Sequence, residues 1–254
     1  MKSLLLTIAS LSVAGLFASA NDELLRDAEK YRGVMTGNQG IQWRVDVENS
    51  GSQGAPKSAF MAVSQGNKIY AEVIEPESAK GRKYIASSDG DMWFWKPGLS
   101  RPVAVYRRQR LSGDAAIGDI ASTSFVDGYN VVSASEGEVD GEAAVVYTLQ
   151  ATSIMDTYAK IKYWVTKDAH LGKKAEFYTR TGSLLRTSTM YYDNEVDGKP
   201  FLSKMEVVDS DRKVVLAYSE PKLGQYSPAL FDKDSLSGVS SRPSKFPNRG
   251  GRKF

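Results

Sequence analysis

Gly81 to Tyr129 reads G-R-K-Y-I-A-S-S-D-G-D-M-W-F-W-K-P-G-L-S-R-P-V-A-V-Y-R-R-Q-R-L-S-G-D-A-A-I-G-D-I-A-S-T-S-F-V-D-G-Y, and this stretch decides the fold. It holds the densest aromatic cluster of the chain (Trp93, Phe94, Trp95) and the densest basic cluster (Arg107, Arg108, Arg110). A segment of small residues follows, with Ile117, Ile120, Ala121 and Phe125 at helical spacing. Asp89-Gly90 predicts a tight hairpin, because both turn positions need positive φ. The M-W-F-W strand behind it is apolar on both faces and needs cover on both sides. The 115–126 segment predicts a weak helix, since Gly118 and Ser122-Thr123-Ser124 are poor helix formers. No pairing of groups in the stretch suggests catalysis.

On either side of it the apolar period is two. In 41–48, Ile41, Trp43, Val45 and Val47 alternate with Gln42, Arg44, Asp46 and Glu48, which reads as a half-buried strand. Further strands are predicted at 57–64, 68–75, 82–87, 91–96, 103–108, 131–138, 143–151, 160–166, 174–180, 185–192, 201–208 and 213–219. Asp140-Gly141 and Asp197-Gly198 repeat the hairpin signal. About a dozen strands in meander order predict a mainly β chain with a few helices, built on a single large curved antiparallel sheet or barrel. Asn21–Met35 predicts an amphipathic helix with Leu24, Ala28, Tyr31 and Met35 on its apolar stripe, and Pro228–Leu236 a second, short one.

The first twenty residues, M-K-S-L-L-L-T-I-A-S-L-S-V-A-G-L-F-A-S-A, have the plan of a secretory signal: Lys2, an apolar run, and Ala18-Ser19-Ala20 as an A-x-A cleavage site. The expectation is export, with cleavage after Ala20. With no cysteine in 254 residues, an exported chain has no disulfides and no site for an N-terminal lipid. The expected location is therefore the periplasm, without a lipid anchor. The formal net charge of +3 is unevenly spread. Arg242, Lys245, Arg249, Arg252 and Lys253 face no acid in 240–254. Removing these five and Lys2 from the 33 basic residues leaves 27 against 30 acidic ones for the 21–239 body. The tail is expected to be disordered, from its Pro, Gly, Ser and Arg content, and to be able to touch an anionic membrane surface. Nucleic acid is not expected, given the compartment and the acidic body.

Motifs for chemistry are missing. The one histidine, His170, stands in K-D-A-H-L-G, which reads as a turn, and no metal site is expected from it. There is no G-x-S-x-G, P-loop or G-x-G-x-x-G. The two S-x-x-K matches, Ser210–Lys213 and Ser219–Lys222, fall at a turn and beside a proline. Glu136, Glu138, Asp140 and Glu142 recur every second residue and read as a solvated hairpin face or a weak calcium site. Arg107, Arg108 and Arg110 read either as a charged strand edge or as a contact for an anionic head group or acidic partner. The Trp93–Trp95 run reads as core or as ligand wall. No enzyme and no cofactor are expected.

The motifs E-P-E-S-A-K-G-R-K-Y-I-A, D-G-D-M-W-F-W-K-P-G-L-S-R-P-V and R-R-Q-R-L-S-G-D-A-A-I-G-D resemble, in order, those of the outer-membrane lipoprotein-sorting (LolA-like) proteins. W-V-T-K-D-A-H-L-G-K-K-A-E-F-Y-T-R-T-G-S-L-L-R-T and S-P-A-L-F-D-K-D-S-L resemble the family's long hairpin and closing segment, so the resemblance spans about 40 to 236. It departs at His170-Leu171-Gly172, where the family often has Pro, and in the tail. The resemblance implies a half-barrel of about eleven antiparallel strands over 21–239, closed by a helical lid around an apolar cavity. It implies a carrier of lipid or lipoprotein acyl chains between inner and outer membrane. Relatives of this sub-branch accompany inner-membrane transporters of the resistance-nodulation-division (RND) superfamily.

On that reading the cavity is lined by Trp43, Val45, Phe60, Met61, Trp93, Phe94, Trp95, Ile117, Ile120, Phe125, Tyr163, Phe177, Met190 and Met205. Arg107, Arg108 and Arg110 take the head group or a partner, and 115–126 is the lid. Ile120→Asp or Phe125→Asp is then expected to weaken binding while the fold survives. The alternatives are a non-enzymatic accessory subunit of a transporter with a filled core, and an enzyme whose site has no sequence signature.

Overall fold

The computed structural model describes residues 23–35, 37–50, 57–87, 91–105, 124–154, 156–209 and 212–238. The 1–20 segment and the 240–254 tail therefore lie outside the described residues. Among these residues one α-helix, α1 (23–31), precedes fifteen strands. The first six are β1 (Gly40–Ser50), β2 (Ser58–Gln65), β3 (Lys68–Glu75), β4 (Lys83–Ser87), β5 (Met92–Trp95) and β6 (Val103–Ala104). After the 106–123 connection come β7 (Tyr129–Val139), β8 (Glu142–Ala151), β9 (Lys160–Thr166), β10 (Gly172–Tyr178) and β11 (Leu184–Tyr191). The last are β12 (Asn194–Val196), β13 (Lys199–Phe201), β14 (Lys204–Asp209) and β15 (Arg212–Gly224).

Thirteen strands form one sheet in the order β6-β5-β4-β3-β2-β1-β15-β14-β11-β10-β9-β8-β7, all pairs antiparallel, and β12-β13 is a separate hairpin. The sheet is not closed: β6 and β7 are its two edges. The chain starts in the middle at β1, meanders out to β6, re-enters at the far edge as β7, and meanders back until β15 pairs with β1. The expected count of about eleven strands is thus too low. Predicted strand 201–208 is split into β13 and β14, with Leu202-Ser203 between them. The tight turns form as predicted where they are described. Asp140-Gly141, Asp197-Gly198 and the Gly66-Asn67 turn all take positive φ at both positions, the geometry that matches strand twist.

Two of the helical expectations need correction. α1 stops at residue 31, ahead of the Met35 expected to end it, because Gly33 takes φ +96 and its N–H closes on Lys30 O. The Pro228–Leu236 segment is two 3-10 turns, η1 (Pro228–Phe231) and η2 (Lys233–Ser235). Asp232 interrupts it: extended in backbone, it caps the second turn through its carboxylate. The 115–123 part of the expected lid lies outside the described residues. Its described end, Ser124–Val126, is a bend in which Ser124 Oγ accepts from the Val126 and Asp127 N–H groups.

The face of the sheet that carries Ile41, Trp43, Val45 and Val47 is the inner one. It packs Leu24, Leu25 and Ala28 of α1 together with Tyr147, Leu149, Ile161, Tyr163, Phe177, Met190, Met205 and Leu216 into one core. A smaller core lies on the other face, where η1 and η2 cover Val63, Tyr70 and Ile85.

Candidate functional site

Paired residues in an antiparallel ladder point to the same side, and neighbours along a strand to opposite sides. On β8 to β15 the inner side is filled. Tyr163 stands opposite Ala175 and Tyr147, Phe177 opposite Ile161, and Met190 opposite Met205, all of them buried. Phe125 plugs this half. Its ring meets Tyr163 edge-on at 4.7 Å and Phe177 at 5.9 Å, and it is 1% exposed.

A charged pair is built into that plug. Arg32 Nε and Nη2 donate to the two carboxylate oxygens of Glu29 at 3.0 and 2.9 Å, and both residues are buried. Glu29 also accepts the Phe125 N–H at 2.6 Å, while the Arg32 guanidinium lies 4.2 Å over the Phe125 ring. Burial works against the Arg32 charge, but Glu29 overcomes it and holds the guanidinium above its ordinary value. Around the pair, burial pushes the Tyr163, Tyr192 and Tyr218 phenols well above theirs, so all three are neutral. The pair ties α1 to the chain entering β7. Glu29 and Arg32, three apart at the end of α1, were a local signal for the ion pair but not for its contact with Phe125. The sequence reading put Leu24, Ala28, Tyr31 and Met35 on the buried side of α1; Leu24, Ala28 and Met35 are indeed buried in the core, and the ion pair beside them was missed.

On β2 to β5 the inner side is different. Phe60, Tyr84 and Phe94 run across the strands as an aromatic ladder, with ring centroids 6.4 and 5.1 Å apart, and each is only half-buried. Trp43, Val45, Ala62 and Ala71 continue the surface toward the filled half: Trp43 pairs with Ala62, Val45 with Phe60, and Ala71 with Tyr84. Trp43 is itself fixed edge-on against Tyr218 at 5.8 Å. The open half of the inner face is thus a flat aromatic wall. Tyr84 belongs to it and was not anticipated, although K-Y-I alternates plainly enough to place it beside Phe94.

Met61, Trp93 and Trp95 are on the opposite face. Trp93 pairs with Ile85 and Trp95 with Lys83, and both pack with Leu230, Phe231 and Leu236. Lys83 and Lys233 lie 5.3 Å over the Trp95 and Trp93 rings, and the Trp95 indole donates to Leu99 O at 3.0 Å. Of the expected cavity residues, the structure brings Phe60 and Phe94 onto one half-buried wall, with Trp43 and Val45 buried beside it on the same face. It puts Phe125, Tyr163, Phe177, Met190 and Met205 into a packed core on the same face, and Met61, Trp93 and Trp95 behind the sheet. Ile117, Ile120, Arg107, Arg108 and Arg110 lie outside the described residues.

A cleft of about 420 Å³ opens beside α1, lined in part by Arg26, Asp27, Lys30, Met35, Val126 and Asp127. Asp27 in it holds His170 Nδ1 at 2.8 Å, which fixes the β9–β10 turn to α1. Among the described residues no three His, Asp or Glu side chains gather as a metal site, and no helix is long and apolar enough to cross a membrane.

The chain resembles the LolA-like proteins in structure as well as in motif. It is similar to a LolA superfamily protein from Nitrosomonas europaea, with a TM-score of 0.70 and 28% identity over 84% of this chain and 97% of that one. It is also similar to a domain from Vibrio parahaemolyticus described as an outer membrane lipoprotein-sorting protein, with a TM-score of 0.68 and 20% identity over 85% of this chain and 99% of that one. The family model described as that of an uncharacterized protein matches residues 65–238, more than half of the chain, and the chain belongs to that family. No curated protein matches the sequence.

Proposed function

We propose that this protein is a periplasmic, non-enzymatic carrier that holds lipid or lipoprotein acyl chains against the open half of its inner face. One observation carries the reading. Phe60, Tyr84 and Phe94 form a contiguous aromatic surface on the inner side of the sheet that the described residues leave half-exposed, beside a half that is tightly filled. Large aromatic side chains left in water are costly and mark a binding surface. Moving a sixteen-carbon chain out of water is favourable by roughly 12 kcal/mol at ~0.8 kcal/mol per methylene. A shallow wall that covers only one side of the chain captures part of that gain, which is what a carrier that must release its cargo needs.

The likeness to lipoprotein-sorting proteins supports the same reading. The lid that the resemblance implies over 115–126 falls, up to residue 123, outside the described residues. An RND-type transporter of the inner membrane is the donor that the family resemblance suggests. Phe125 itself is a core plug on this account, so Phe125→Asp unfolds the protein and is no test of a lid.

A second reading, an accessory subunit with no cargo, draws on the packing behind Trp93 and Trp95 and of Tyr163, Phe177, Met190 and Met205. Mass spectrometry of the protein isolated from the periplasm separates the two. A carrier brings near-stoichiometric acyl lipid with it, and a Phe94→Asp variant brings at least tenfold less. Lipid-free protein in both cases contradicts the carrier.

A further inference from the structure

Six large apolar side chains are exposed among the described residues: Val103, Val131, Val132, Ile154, Leu184 and Val208. The strand registers place all of them at one end of the sheet. Tyr129 pairs with Ala151, Gln150 with Lys160, and Tyr178 with both Lys160 and Leu184, while Thr187 pairs with Val208. The start of β7, the β8–β9 connection, the start of β11 and the end of β14 therefore share one rim. Five of the six side chains lie on it across six neighbouring strands, a width of about 24 Å at ~4.8 Å per strand. Val103 is at the same end of the other edge, opposite Phe94. Ile154, at 71% exposed, and Val132, at 58%, stand further into solvent than an ordinary surface aliphatic needs to.

Charge is sorted along the same axis. The rim carries Lys160, Arg180, Arg212, Lys213 and the buried Arg186 against Asp156, Asp209 and Glu206, with Asp209 engaged by Arg186 and Arg212 and Glu206 by Lys213. Connections at the opposite end carry Asp140, Asp168, Asp193, Glu195 and Asp197 against Lys167 and Lys199, with no large apolar side chain exposed among their described residues. One end of the sheet is thus basic with apolar tips, and the other is acidic without them.

We propose that this rim docks on an anionic lipid bilayer. Long-range attraction brings the basic end to the surface and turns the acidic end away. Ile154, Leu184, Val131 and Val132 then enter the head-group boundary, where apolar side chains add to the electrostatic term. Docked in this way, the strands stand upright on the membrane surface and the end of the inner face lies next to the lipid. The rim residues are not those of the acyl-chain wall.

The test is co-sedimentation of the full chain with phosphatidylcholine vesicles with and without phosphatidylglycerol, at low and high salt. Wild type is expected to bind the anionic vesicles and to be released by salt. Ile154→Ser with Leu184→Ser, and separately Arg180→Glu with Arg212→Glu, should each reduce the partition by about tenfold. A Lys199→Glu control at the far end should not. All variants should keep the thermal midpoint and the uptake of a monomeric fluorescent fatty acid, so failure of docking and failure of the carrier reading are told apart. Absence of binding to anionic vesicles overturns the proposal. So does equal binding by the rim variants, and so does loss of binding on deletion of 240–254 alone.

Discussion

Gly33 has no side chain because Trp43 occupies the place where one would be: a Cβ there would fall 1.7 Å from the indole, and the backbone sits at φ +96. The helix must end there, and the tryptophan that starts the inner face locks against the end. Glu29, one turn earlier, and Arg32, next to Gly33, do a related job at higher stakes. A buried ion pair contributes little net stability over apolar packing, but breaking it leaves a bare charge in the core. Glu29→Ala strands the Arg32 guanidinium beside Tyr163, Tyr192 and Tyr218, and deprives the Phe125 N–H of its acceptor. A loss of about 3–5 kcal/mol is expected in urea unfolding. A change below about 1 kcal/mol would mean that the pair does not hold Phe125 in place.

At the scale of elements, adjacent strands on the outer side of β10 to β15 are laced by charge. Lys213 at 2.8 Å and Lys204 at 3.1 Å hold the Glu206 carboxyl below its ordinary 4.5. A carboxyl depressed on folding contributes stability that is present above its ordinary value and lost as pH falls through the lower folded one. The pair is partly exposed, so Glu206→Gln should cost about 0.5 kcal/mol near neutral pH. The cost should vanish once the medium is acid enough to protonate Glu206 in wild type. Chemical denaturation of both proteins across the acid range checks this, and a pH-independent difference refutes it.

The edges are handled unequally. β6 has two residues, whereas β7 has eleven, and residues 131–138 of it are all exposed. Glu136 and Glu138, with a register shift between Val131 and Ser133, discourage a second copy from pairing there.

Strand positions were legible because alternation and the D-G turns are local. The error over Trp93, Phe94 and Trp95 was also local in origin. A strict period of two cannot put all three on one wall, and only the partner strands say which face is inner. Met61, beside Phe60, was misplaced for the same reason. The plug of Phe125 on Glu29–Arg32 was not legible, since it joins residues 96 positions apart and no local pattern announces such a contact. The 3-10 turns at 228–235 were read as one helix because the capping of Asp232 depends on where its carboxylate turns.

For the whole molecule, the sheet divides its labour. The β8–β15 half, with α1 and Phe125, is a filled scaffold. The β2–β5 half offers its inner side as an aromatic wall and is stiffened from behind by η1 and η2. The fold class and the LolA-like resemblance follow from the order of motifs along the chain, which survives because each strand must keep its place in the meander. The central claim is that the Phe60-Tyr84-Phe94 wall binds acyl chains. Titration of the purified protein with a fluorescent fatty acid tests it most directly, beside Tyr84→Asp and Phe94→Asp variants whose thermal midpoints match wild type. Saturable binding by wild type, weakened at least tenfold in both variants, is the predicted result. No saturable binding by wild type, or equal binding by all three proteins, would contradict it.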